Sequence, residues 1–438
     1  MRIEKKYLSA PITAQLEVTD FCNHRCIHCY NLDSNIANRP MRKVEDETVI
    51  KCAQKLIDNG IFSVVISGGE PLIKRDLTQK LITLFKNNDV QVHLNSNLTL
   101  FDDSFIDFLA KSQITVLTSC PSAIPESFKK LTGVDNYELF AANVQKMVSA
   151  GVKFSVNMVI TKDNLHEIRT SAKAMKDLGC KSFAATPMGL NMTYPRLDLL
   201  LSIQEVQSVI DDLLWIEEHL DLYVDVMEAL PKCVFSEKIL SKKHSFLNRK
   251  CQAGRTVISV SCNGDVRPCA HNPISYGNIL QEDLKDIWKK MQDWRTAKFV
   301  PDDCKTCSWV NRCNGGCRTS SKTINGEWNS RDMWATSPLK TQPPLISEPI
   351  ELLPDTILQF NNHYLSRQEG NDVYVVYNVL DDMYFMVNKA YYDFIKQLTN
   401  QEPIKFSELQ KKYGVDSNNH AFYDTILFLV KERLIKVL

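Results

Sequence analysis

Cys22, Cys26 and Cys29 stand in the stretch CNHRCIHCY, spaced C-x3-C-x2-C and followed by Tyr30. Thiolates hold soft transition metals, and a structural zinc site takes four ligands, often as two C-x2-C pairs. A [4Fe–4S] cluster also usually takes four thiolates. Three on one loop leave one iron open to a further ligand. A second group has equally defined spacings. Cys251 is followed by Gly264 and, after four intervening residues, by Cys269; then Cys304, Cys307, Cys313 and Cys317 read C-x2-C-x5-C-x3-C. The other five of the 14 cysteines are Cys52, Cys120, Cys180, Cys233 and Cys262. Isolated buried cysteines behave as small hydrophobes, which is the reading for Cys52 and Cys180.

The first half of the chain alternates strands and helices, and this pattern must position the first cysteine loop. ITAQLEVTD, FSVVISGG, QVHLNSN, ITVLTSC, KFSVNMVIT and KSFAATPMG read as six strands. Helical stretches such as VEDETVIKCAQKLIDNG, RDLTQKLITLFKNN and YELFAANVQKMVSAG lie between them. Six such units predict an α/β fold with a parallel sheet, a partial (β/α)6 TIM-like barrel. Chemistry in such barrels sits at the C-terminal strand ends, where the three-cysteine loop falls.

At 438 residues the chain predicts two or three domains, and 52 Lys+Arg balance 52 Asp+Glu. That balance gives no electrostatic case for nucleic acid or membrane. The N-terminal stretch lacks a signal-peptide core, and no apolar run is long enough to span a bilayer. A cytoplasmic protein is expected, with its cysteines serving metal or redox chemistry and not disulfides.

The C-x3-C-x2-C loop after the first strand resembles the signature of the radical S-adenosylmethionine (radical SAM) superfamily. The resemblance implies a [4Fe–4S] cluster on Cys22, Cys26 and Cys29, with the free iron chelated by S-adenosylmethionine. One-electron cleavage then yields a 5′-deoxyadenosyl radical, with an electron donor such as flavodoxin or ferredoxin as partner. Gly68, Gly69, Glu70 and Pro71, ending the second strand, match the family's GGEP segment for the methionine amino group. Ser96 and Asn97 end the third strand and are further cofactor candidates, with Tyr30, Asn157 and Arg169. Arg169 reads equally well as a solvated surface charge. Related enzymes often carry an acid after the fourth strand; this chain has Cys120 there, a candidate hydrogen-atom donor or cluster ligand, or a space-filling core thiol.

The second cysteine group resembles the SPASM domain, which holds auxiliary iron–sulfur clusters. NGDVRPC and YGNILQEDLKDIW fit its hairpin and helix. The resemblance implies Cys251, Cys269 and Cys317 on a first auxiliary cluster and Cys304, Cys307 and Cys313 on a second. The family's closing cysteine is missing: Ala335 stands about where it would fall. The second cluster is then open, closed by a carboxylate such as Asp332, or absent, so one or two auxiliary clusters are expected. Cys262 or Cys233 is a candidate fourth ligand for the first.

The expected domains are a barrel over 1–225, an auxiliary iron–sulfur domain over 226–335, a proline-rich linker over 336–354, and a winged-helix-like domain over 355–438. From Glu348 onward nine Lys/Arg face thirteen Asp/Glu, the wrong sign for phosphate. This tail resembles the peptide-recognition element of pyrroloquinoline quinone biosynthesis, which implies a precursor peptide with a leader sequence as partner. The chain therefore reads as a maturase of ribosomally made peptides. Rival readings are an anaerobic sulfatase-maturing or cofactor-biosynthesis enzyme, and a zinc-dependent winged-helix regulator.

Overall fold

The computed structural model describes residues 8–31, 43–242, 244–344, 350–380, 383–399, 401–416 and 419–438. These fall in two compact units, Ala10–Pro344 and the C-terminal unit from Leu345, to which the N-terminal residues through Ser9 belong.

The larger unit is built on one ten-stranded sheet. Its strands are β1 (Thr13–Glu17), β2 (Ser63–Ser67), β3 (Gln91–Ser96), β4 (Thr115–Ser119), β5 (Lys153–Ile160), β6 (Ser182–Pro187), β7 (Tyr223–Asp225), β8 (Val257–Val260), β9 (Asp265–Arg267) and β10 (Gly277–Asn278). Strands β1 to β7 run parallel in sequence order, and β8 adds in parallel on the other side of β1. The six expected strands are all present. β7 is additional: three residues carry no alternation for sequence reasoning to find.

Each parallel strand shows the period-two pattern of its pleat. Ala14, Leu16, Val64, Ile66, Leu94, Val116, Val156 and Met158 point one way and are fully buried. The register pairs Gln15 with Val65, Glu17 with Ser67, Asn95 with Leu117, and Ser119 with Asn157. The second face is therefore largely polar. Amphipathic helices such as Asp46–Asp58, Arg75–Lys86 and Ile203–Leu220 supply apolar faces for the first. A polar inner face needs another occupant than a hydrocarbon core.

No packing break falls at the expected boundary after residue 225. The β8–β9 hairpin belongs to the auxiliary region, yet β8 extends the barrel sheet. The buried carboxylate of Glu17 on β1 accepts from Arg267 on β9 and from Ser259 Oγ on β8 at 3.3 Å. Nor is 336–344 a free linker. Ser308 N and Trp309 Nε1 donate to the carbonyls of Leu339 and Thr341, at 3.0 and 2.9 Å.

Among the described residues the C-terminal unit has two three-stranded sheets and three helices. β11 (Ile357–Phe360) lies between β15 (Ile404–Lys405) and β16 (Ile435–Val437), and β13 (Val373–Asn378) between β12 (Tyr364–Gln368) and β14 (Met383–Asn388). Its helices are Lys389–Leu398, Phe406–Lys412 and His420–Lys431. Leu352, Leu358, Phe385, Leu409 and Ile426 share its core, so the last part of the expected linker belongs here. Among the described residues no helix is long and apolar enough to cross a membrane.

Candidate active site and metal centres

The Cys22–Cys29 loop leaves the C-terminal end of β1 and is tied down by its neighbours. Gly69 N and Glu70 N donate to the carbonyls of Thr19 and Phe21 at 2.7 and 2.8 Å. A Cβ on Gly69 would fall 2.1 Å from the Phe21 carbonyl oxygen, and one on Gly68 (φ +138°) 2.5 Å from that of Thr19. The two glycines are thus required by contact with the cysteine loop's own backbone. On the next side, Asn97 Nδ2 donates to Asn23 Oδ1, and Asn23 Nδ2 to Thr99 Oγ1, both at 2.8 Å. On a third, Arg25 N and Ile27 N donate to the carbonyls of Thr132 and Leu131.

Glu70 is buried, and three donors hold it. Oε1 accepts from Leu72 N at 3.1 Å and Ser96 Oγ at 2.8 Å, and Oε2 from Asn97 N at 2.9 Å. Burial pushes its carboxyl up to about 6, against the pull of these bonds. Glu70 and Ser96 therefore brace the β2 and β3 turns against each other, while Pro71 opens the short helical turn Pro71–Lys74.

The three thiols suit a cluster more than a single ion. None is in a disulfide and all are half-buried, and Cys26 lies within electrostatic reach of both Cys22 and Cys29. Among the described residues, however, no three Cys, His, Asp or Glu side chains draw together as ligands of one ion. A mononuclear zinc site brings its sulfurs to about 2.3 Å from a common centre; a cubane gives each sulfur its own iron. Burial pushes Cys22 up to about 12, so a thiolate there needs a metal beside it. His24 N points at Cys22 Sγ at 3.4 Å.

Tyr30 enters the polar face. Its hydroxyl lies 3.2 Å from both Ser67 Oγ and Gln15 Nε2, and its ring stacks on His271 with centroids 5.0 Å apart. His271 and Glu228 in turn crowd Gly189, where a Cβ would meet them at 3.2 and 2.8 Å. Glu228 lies within electrostatic reach of Cys251 and Cys317. A run of side chains therefore leads from the first cysteine loop to the auxiliary set. His271 and Glu228 escaped sequence reasoning because they belong to no spaced motif.

Cys251 lies within electrostatic reach of both Cys269 and Cys317. Asp332 belongs with this set and not with the second. Its Oδ2 accepts from Cys317 N at 2.7 Å, and burial pushes its carboxyl up to about 7. Cys262 is turned elsewhere, its fully buried Sγ lying 3.5 Å from Asp20 Oδ1. Cys233 also departs from expectation: it lines one cavity with Cys304, Cys307 and Cys313.

Two barrel candidates lie away from the expected chemistry. Cys120 shares its strand face with Val116 and Thr118, is fully buried, and lies 3.2 Å from the Ser122 carbonyl. It is Ser119 that stands on the polar face, beside Asn157. Arg169 is half-exposed, bonded through Nε to Asp212 Oδ1 at 2.6 Å and laid over Trp215 at 4.7 Å. It fastens two outer helices. Asn157 does face inward, its Oδ1 accepting from Thr186 Oγ1 at 2.6 Å.

Residues 16–175 match the Radical SAM superfamily, and residues 251–313 match the SPASM iron–sulfur cluster-binding domain. The chain is a radical SAM enzyme with a SPASM domain; its cofactors are a [4Fe–4S] cluster that binds S-adenosylmethionine and auxiliary iron–sulfur clusters. It is 24% identical over 338 residues to the AdoMet-dependent heme synthase of Methanosarcina barkeri, covering 73% of this chain and 95% of that one. It is 26% identical over 326 residues to the antilisterial bacteriocin subtilosin biosynthesis protein AlbA of Bacillus subtilis, covering 70% of this chain and 67% of that one. Its fold is similar to that of Streptococcus suis SuiB bound to precursor peptide SuiA, with a TM-score of 0.59 and 21% identity over 74% of this chain and 76% of SuiB. Enzyme membership sets aside the zinc-dependent regulator.

Proposed function

We propose that this chain is a maturase that modifies a ribosomally made precursor peptide, with its C-terminal unit holding the leader and its barrel acting on the core. The observation that carries this reading is the separate C-terminal unit. It contains no cysteine, so it holds no thiolate-bound cluster, and its acidic balance disfavours nucleic acid. Strand β12 pairs with β13, and small sheets of this kind can receive an extended peptide as an added strand. The likeness to the subtilosin biosynthesis protein, and to SuiB with its precursor peptide, supports the same class of substrate.

When bound, the cluster and S-adenosylmethionine supply a radical able to abstract an unactivated hydrogen. The chain's residues provide the setting. Cys22, Cys26 and Cys29 would hold the cluster, leaving one iron for the methionine end. The Gly68–Pro71 turn would meet that end through backbone carbonyls, since Glu70 is engaged in bracing. Asn97, Asn157 and Tyr30 would orient the rest, and Ser119 would face the substrate. The buried aliphatic face behind the strands keeps this floor rigid. The electron would come from a flavodoxin or ferredoxin.

A second reading is a cofactor-biosynthesis enzyme acting on a tetrapyrrole, favoured by the likeness over 95% of the heme synthase. Reconstitution under anaerobic, reducing conditions tests the shared chemistry. Release of 5′-deoxyadenosine is expected from the full chain and none from the Cys22→Ala/Cys26→Ala/Cys29→Ala variant. Undiminished release from that variant would remove the cluster from this loop.

A further inference from the structure

We infer that Cys233 is the fourth thiolate ligand of the second auxiliary cluster, taking the place left by Ala335. A single cavity is lined by Cys233, Cys304, Cys307 and Cys313, and Ala335 lines it too. The family's closing ligand would thus come from the C-terminal side of this cavity; here the fourth thiol comes from the opposite direction in sequence, on the short turn Lys232–Val234.

Three of the four sulfurs already receive backbone N–H groups. Thr336 N points at Cys233 Sγ at 3.3 Å, Leu339 N at Cys307 Sγ at 3.2 Å, and Lys232 N at Cys313 Sγ at 3.4 Å. Hydrogen bonds to the sulfurs tune an iron–sulfur cluster, and these come from two segments that reach the cavity from different parts of the chain. Residues 336–339 also close over it, and Thr336 Oγ1 donates to the Cys233 carbonyl at 2.8 Å. The four thiols line one space, and a cubane takes one sulfur per iron.

Cys233 as a ligand rests on the iron–sulfur nature of the auxiliary domain and is independent of the substrate. The test measures iron, acid-labile sulfide and Mössbauer spectra of anaerobically reconstituted full chain. In Cys233→Ala, a loss of roughly four irons, one cubane's worth, or conversion of one cluster to a three-iron form is expected. Restoration is expected in Cys233→Ala/Ala335→Cys. Iron and spectra unchanged in Cys233→Ala would overturn the ligand assignment, whereas stoichiometric zinc without sulfide in the unsubstituted chain would overturn the iron–sulfur reading itself. A second measurement needs no variant: alkylation mapped by mass spectrometry. Cys233 should resist alkylation in the loaded protein and react, together with Cys304, after the clusters are stripped. Equal reaction of Cys233 before and after stripping would contradict its ligation.

Discussion

Gly69 leaves no room for a side chain, because the Phe21 carbonyl occupies the place of its Cβ. Gly69→Ala must therefore push the β2 turn and the cysteine loop apart. Loss of the S-adenosylmethionine cluster's iron is expected, with a stability loss of about 2–3 kcal/mol, toward the upper end for single substitutions. Iron content and the urea midpoint of the purified variant check both; unchanged values would mean that the two loops are independent. At this scale the three-cysteine loop was legible from its spacing, and the glycine pair from its resemblance to the GGEP segment of the family. For Cys120 the pleat favours the space-filling reading over the chemical ones: in VLTSC, period two puts Cys120 with Val116 and Thr118 and sends Ser119 to the polar face. Arg169 shows the opposite limit. Its partners Asp212 and Trp215 lie more than 40 positions away, and no local pattern joins them.

Between elements, the Glu17–Arg267 pair carries the most information. It joins the first barrel strand to the auxiliary hairpin across 250 positions, with both side chains largely out of water. Burial raises the Glu17 carboxyl more than Arg267 lowers it, so the pair is a locking contact and not a free source of stability. Removing one partner strands the other charge. Glu17→Ala is expected to cost about 3–5 kcal/mol, as for other broken buried pairs, measured by denaturant unfolding of the full chain. A cost below that of an exposed pair would mean that Arg267 finds water. The six barrel strands were legible from their alternation with helices. That β8 joins β1 in parallel was not, because the join depends on a contact between distant segments and leaves no periodic mark.

For the whole molecule, the expected sequence of barrel, auxiliary domain, linker and tail becomes two compact units. The proline-rich stretch misled because composition marks an absence of helix, not an absence of packing: its first four residues, 336–339, line the Cys233 cavity. The radical chemistry belongs to the larger unit, and the proposed maturase reading gives peptide capture to the smaller. Tethering the leader raises the core's effective concentration at the barrel, so loss of the tether should lower turnover without touching the cofactor site.

The most direct measurement is the mass of a short peptide encoded beside the gene, after anaerobic co-expression with the full chain or with a chain ending at Pro344. The full chain is expected to change the peptide, by loss of two hydrogens for a crosslink or oxidation, or by deuterium uptake from heavy water for an epimerisation. The shortened chain should leave most of the peptide unmodified while still releasing 5′-deoxyadenosine. A peptide left unchanged by the full chain, with a tetrapyrrole converted in its place, would contradict the account.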